Sequence, residues 1–180
     1  MGAIIIDGIL QAGINYNAVV LPRVLSFLSA NSKLRTLTDF KRKIQEVGID
    51  AVINFRNEAK IQRIKDIVNL LELEGVDTVN DFKKWLGKDA NINKLKSIKG
   101  IGDKTSDYFQ ILVGISAVAV DTNIRDFLRV AGIKVKDDEY SRPKQIVENA
   151  AKEMNIGLSV LDYSIWSHVS SGKLKKFKVC

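Results

Sequence analysis

An all-α fold is what this sequence predicts, and three observations carry the prediction. Apolar residues recur at helical spacing along almost the whole chain. The residues that flank those runs are of the kinds that start and stop helices. The only short runs that could be read as strands, III at 4–6 and VAV at 118–120, span three residues each and have no alternating partner run nearby.

Taken in order, the elements are as follows. Leu37, Phe40, Ile44 and Val47 recur at steps of three, four and three, with Lys41, Arg42, Lys43 and Glu46 between them. Thr36 or Thr38 can cap that helix and Gly48 can end it. Ile61, Ile64, Val68 and Leu71 repeat the pattern before Gly75, and Val79, Phe82, Trp85 and Leu86 mark a short helix before Gly87. Ile92, Leu95 and Ile98 form the end of another, while Tyr108, Phe109, Leu112 and Val113 mark the buried face of the next. Pro143 stands where a first helical residue would, ahead of Ile146, Val147, Ala150, Ala151 and Met154. Leu161, Ile165 and Val169 make a last helix that ends near Gly172.

Composition narrows the class. At 180 residues, with 46% hydrophobic and 27% charged residues and two prolines, the chain is long enough for one buried domain or two interlocked subdomains. The 28 Lys and Arg against 21 Asp and Glu leave a net charge of +7, which suits a polyanionic partner. A single cysteine, Cys180, excludes an internal disulfide and any multi-cysteine metal site, and a lone His168 argues against a histidine-rich one. The apolar N-terminal run is broken by Asp7 and lacks a basic start, so neither a secretory nor a membrane segment is expected. The expectation is an intracellular, monomeric protein with no membrane association.

The stretch IKGIGDKTS at 98–106 then poses a choice. A Gly-x-Gly turn can be an ordinary link between helices, or it can leave backbone N–H groups aimed at a phosphate oxygen beside a helix N-terminus. Ile101 can anchor such a turn in the core, and Asp103 can serve as helix cap. Seventeen residues after Lys104 stands Asp121, in AVDTNIR at 119–125. That spacing accommodates about three helical turns through Val113 and a return segment. Asp121 or Thr122 would cap the following helix, with Phe127, Leu128 and Val130 as its apolar contacts.

LKSIKGIGDKT at 95–105 followed by AVDTNIR resembles the helix-hairpin-helix DNA glycosylase superfamily, endonuclease III-like members above all. The family pattern is a Leu/Ile-Pro-Gly-Ile/Val-Gly hairpin, a lysine two positions after the second glycine, and a Val-Asp-Thr-His-like segment. The looser likeness runs from about Leu25 to Gly132. It implies a two-lobed all-α fold with the DNA cleft between lobes, residues 25–121 forming the hairpin-bearing lobe and residues 1–24 with 122–180 the other.

The resemblance also implies roles. Lys104 matches the nucleophile that attacks the sugar C1′ and forms a Schiff base, and Asp121 matches the aspartate that assists it and stabilises positive charge on the sugar. The backbone amides of Gly100, Gly102 and Thr105 match those that grip a DNA phosphate, with Ile101 at the turn between the glycines. The carbonyls of Lys96, Ile98 and Ile101 match the place of a monovalent cation, K⁺ or Na⁺. LSANS at 28–32 resembles the segment whose amide fills the gap left by an extruded base, which makes Asn31 a candidate wedge beside its bland reading as a helix-ending residue. The activity implied is that of a DNA glycosylase with AP lyase function acting on damaged, oxidised bases in double-stranded DNA. A monofunctional glycosylase using Asp121 and water, or a helix-hairpin-helix module that only binds DNA, are the alternatives.

Departures accompany the likeness. Lys99 replaces the hairpin proline and adds positive charge near a phosphate, and Asn123 stands where histidine is common, at a phosphate- or pocket-contacting position. The four-cysteine iron–sulfur loop of many relatives has no counterpart in a chain with one cysteine. His168 reads as a structural or phosphate-facing residue, Trp85, Tyr163 and Trp166 as core aromatics or base-stacking partners, and DDE at 137–139 as a solvated loop. KLKKFK at 173–178 reads as a solvated end or a DNA-contacting arm.

Overall fold

The computed structural model of the protein describes residues 1–172, which are helical or in loops with no strand among them. The chain divides into two compact units, one through Ile115 and one from Ser116 onward. The basic run at 173–178 and Cys180 lie outside the described residues.

The first unit is built on its first helix. α1 (Gly2–Leu10) is GAIIIDGIL, and its Ile5, Ile6, Asp7, Gly8, Ile9 and Leu10 are all buried. A helix apolar nearly all round must be enclosed by others, and α1 packs against α2 (Leu21–Ala30), α5 (Glu58–Leu73) and α8 (Asp103–Leu112). Gly8 makes the contact with α8 possible, because a Cβ there would overlap the ring of Phe109. Phe109 in turn meets Phe82 edge-on with ring centroids 5.7 Å apart. Residues 1–24 therefore belong to the first unit, where α5 and α8 bury α1, and not with 122–180 as the family likeness implied.

Between these lie a π-helical turn over Tyr16–Val20, then α3 (Leu37–Val47), α4 (Ile49–Ile53), α6 (Val79–Leu86) and α7 (Asp89–Lys96). Of the two possible caps of α3, Thr36 is the one used: its hydroxyl accepts from Asp39 N and the Asp39 carboxylate accepts from Thr36 N. Thr78 and Asp81 repeat that box at α6. Asp77 joins the two starts, its carbonyl accepting from Leu37 N and its carboxylate from Thr38 N.

The second unit holds α9 (Thr122–Val130), α10 (Ser141–Glu153) and α11 (Leu158–Ser170) around Val118, Val120, Ile124, Leu128, Val147 and Ile165. Val118–Val120 lies in a loop and forms no strand; Ala119 N donates to the Asp162 carboxylate of α11 at 3.3 Å. Pro143 is the third residue of α10 rather than the first, a place where its missing N–H still has no intrahelical acceptor to lose.

Candidate functional site

The hairpin turn is formed as its two glycines require. α7 ends at Lys96, Ile101 N returns to Ile98 O at 3.0 Å, and Gly100 takes φ +88°, a region that a side chain would strain. Ile101 is buried, which fixes the turn to the core. α8 starts at Asp103, and its first helical bond runs from Ser106 N to Gly102 O at 3.0 Å. The amides of Gly102, Asp103 and Thr105 therefore precede the helical ladder, where the helix dipole favours negative charge. Gly102, not Asp103, is the capping residue; Asp103 is the first helical residue and pairs with Lys96 at 2.5 Å. The Asp103 charge is thus matched by a neighbouring cation.

A residue outside the motif closes over the turn. Arg63 of α5 donates from Nε to Lys99 O at 2.9 Å, and its guanidinium lies so close to Gly100 that a Cβ at that position would overlap it. Gly100 is needed for its φ and also for the seat of Arg63. With exposed Lys99 alongside, the hairpin carries two cationic groups beside its amides.

Lys104 sits in the first turn of α8, half-buried. One turn further along the same face stands Tyr108, whose hydroxyl donates to Asp7 Oδ1 at 3.1 Å, while Tyr16 donates to Asp7 Oδ2 at 3.2 Å. Burial pushes the Asp7 carboxyl above the usual carboxylate range, against the pull of the two hydroxyls. Burial, reinforced by Asp7's charge, pushes both phenols up as well. Lys60 of α5 is also buried, only 7% exposed, its ammonium donating to Ile9 O and Ala12 O at 2.6 Å and to Leu10 O at 3.4 Å. Burial, then the charges of Arg63 and Lys104, lower its pKa to about 8.

The other expected site residues fall elsewhere. Asp121 caps α9 in the second unit: Oδ1 accepts from Ile124 N at 3.0 Å and Oδ2 from Asn123 Nδ2 at 3.1 Å. Both of its oxygens thus serve local structure. Asp121→Ala is expected to lower stability by about 1 kcal/mol through the lost cap, while Asp121→Ser restores most of it; urea denaturation of the two variants measures the difference. Asn31 ends α2 in the first unit and donates from Nδ2 to Phe27 O at 3.0 Å, at the edge of a surface hollow that Lys33, Arg42 and Lys43 also line. Trp85 is a core residue whose indole donates to Glu74 at 3.0 Å, whereas Tyr163 and Trp166 stack on each other with centroids 6.0 Å apart. His168 is half-buried in the last turn of α11, and Asp137 in its loop pairs with Arg129.

Among the described residues no group of three or more His, Cys, Asp or Glu could hold a metal ion, and no helix is long and apolar enough to cross a membrane. A family model described as domain of unknown function (DUF8548) matches residues 3–170. The chain belongs to this family. The DUF8548 match takes in the hairpin, Lys60, Lys104 and Asp121, so both units fall within one family model. No curated protein and no solved structure matches the chain.

Arg63 and Lys60 escaped the reading of motifs because they lie on α5, more than thirty residues before the hairpin. One signal for Lys60 was available: it shares the apolar stripe of Ile64, Ile67 and Leu71, where a lysine is out of place.

Proposed function

We propose that this DUF8548 member is a DNA repair glycosylase with associated AP lyase activity, built on a two-lobed helix-hairpin-helix glycosylase fold. The observation that carries the reading is the hairpin: a positive-φ Gly100 beneath Arg63, an anchored Ile101, and Lys104 one residue into the helix that the turn feeds. The amides of Gly100, Gly102 and Thr105, with Lys99 and Arg63, would hold a phosphate of double-stranded DNA next to the lysine. Lys104 Nζ would attack C1′ as the N-glycosidic bond breaks and the damaged base leaves. Opening of the sugar ring, in which the C1′–O4′ bond breaks and O4′ takes up a proton, then gives a Schiff base. Removal of a C2′ proton then expels the 3′ phosphate by β-elimination, and hydrolysis of the imine frees the amine. Asp121 would stabilise the positive charge that develops on the sugar.

The lysine favours substrates of bifunctional glycosylases, oxidised bases, over alkylated purines. The carbonyls of Lys96, Ile98 and Ile101 are hard oxygen donors of the kind a monovalent cation takes, and Ile98 O keeps a second lone pair beyond its bond from Ile101 N. Such an ion would brace the turn and supply no chemistry. A second reading, a module that binds DNA without acting on it, draws on the capping bonds that occupy both Asp121 oxygens.

Borohydride trapping separates the two. On duplexes carrying an abasic site or an oxidised base, a covalent protein–DNA adduct is expected. Salt-sensitive DNA binding with no adduct across a panel of lesions would leave only the binding module.

A further inference from the structure

Three hollows on the first unit run into one another. One lies between the loop after α2 and α3, a second between α2, α3 and α4, and a third where α3 and α4 meet Phe55 and α5. Asn31 and Lys43 line both the first and the second, while Arg23 and Asn54 line both the second and the third, so the surface is continuous. Its charge is one-sided. Arg42 is matched by Asp39 at 2.8 Å and Lys43 by Glu46 at 3.4 Å, which leaves Arg23, Lys33, Arg56 and Lys65 against Asp50 alone. Among the described residues, the side chains of Lys33, Arg56 and Lys65 make no hydrogen bond or ion pair.

Arg23, by contrast, is fixed in place. Its Nε donates to Asn54 O at 2.9 Å and its Nη1 to Val19 O at 2.8 Å, and the guanidinium lies over the Phe55 ring, 5.3 Å from the centroid. Neither acceptor is charged, so the positive charge of Arg23 is not neutralised, and the rest of its N–H fork is left for a ligand. We infer that this surface is a second DNA contact, which takes the phosphate backbone of one strand along α2, α3 and α4 with Arg23 as its fixed member. Separate cations spread over adjoining hollows match a partner whose charges repeat along its length, as phosphates do. Such contacts set the register of DNA on the protein and read no sequence. The surface shares its partner with the glycosylase reading, but it needs neither Lys104 nor the hairpin.

The test is the salt dependence of binding to an undamaged duplex, followed by fluorescence anisotropy. The triple variant Lys33→Gln/Arg56→Gln/Lys65→Gln should fold normally, because none of the three side chains is bonded within the protein. Its affinity is expected to fall about tenfold or more, and its slope of log affinity against log salt to shrink by about 0.9 for each of the three lost phosphate contacts. Lys84→Gln/Lys88→Gln/Lys152→Gln removes the same charge from exposed sites elsewhere and should leave the slope near that of the wild type. An unchanged slope in the first variant, or an equal loss in both, overturns the inference. Borohydride trapping with the wild type keeps the two readings apart: no adduct, with the slope still lost in the first variant, removes the lyase and leaves the surface standing. A wild type that binds no duplex overturns both.

Discussion

Lys104→Ala is expected to reduce borohydride-trapped adduct on an abasic duplex by on the order of a thousandfold or more, since removing a nucleophile removes its route altogether. DNA affinity should fall far less, because one lysine among several cationic contacts contributes about one counterion to the salt dependence. Gel shifts at two salt concentrations, run beside the trapping assay, measure both. Lys104 emerges half-buried from the first turn of α8 while Phe109 and Thr105 hold that helix in the core, so the substitution leaves the fold in place. An adduct that persists in Lys104→Ala would place the amine elsewhere. Asp121→Asn completes the set: asparagine caps a helix as well as aspartate does, so loss of base release there would report the missing charge and not a loosened α9.

Gly8→Ala carries the largest expected effect on stability. The Cβ would overlap the Phe109 ring, and that ring cannot retreat because it is fully buried against Phe82. Alanine is the better helix former by about 1 kcal/mol, so the net loss is the overpacking cost less this gain. A net loss of about 2 kcal/mol follows, roughly 4–8 °C in Tm. Combining it with Phe109→Leu should be less damaging than the sum of the two single changes, since the smaller side chain vacates the space. Strict additivity in thermal denaturation would show that the overlap is not what limits the site.

How much of this was legible before the structure depended on the range of the interaction. Helix periodicity, a threonine cap at Thr36 or Thr38, Gly48 and Gly75 as helix ends, and the buried Ile101 are local, and each can be read within a few residues; the choice of Thr36 is settled by its box with Asp39. Asp103 was misjudged by one position, since Gly102 in an extended conformation takes the cap and leaves the carboxylate to Lys96. In the sequence Asp7 stands only as an interruption of an apolar run. Its two tyrosine partners lie 9 and 101 residues away, and no spacing rule reaches that far. Arg63 and Lys60 belong to the same class of long-range contacts, so the hairpin is legible in the sequence while the charges around it are not.

Two of the three carbonyls that hold Lys60, those of Ile9 and Leu10, are left open by α1 at its C-terminal end, and the third, of Ala12, lies just beyond it. A side chain 48 to 51 residues away serves as their cap, so α1 finishes only when α5 has docked. Any order of folding in which α1 consolidates alone leaves its apolar surface and its last carbonyls exposed together. Lys60 is thus the stitch that joins the end of α1 to α5, two distant stretches of chain that are stabilised together.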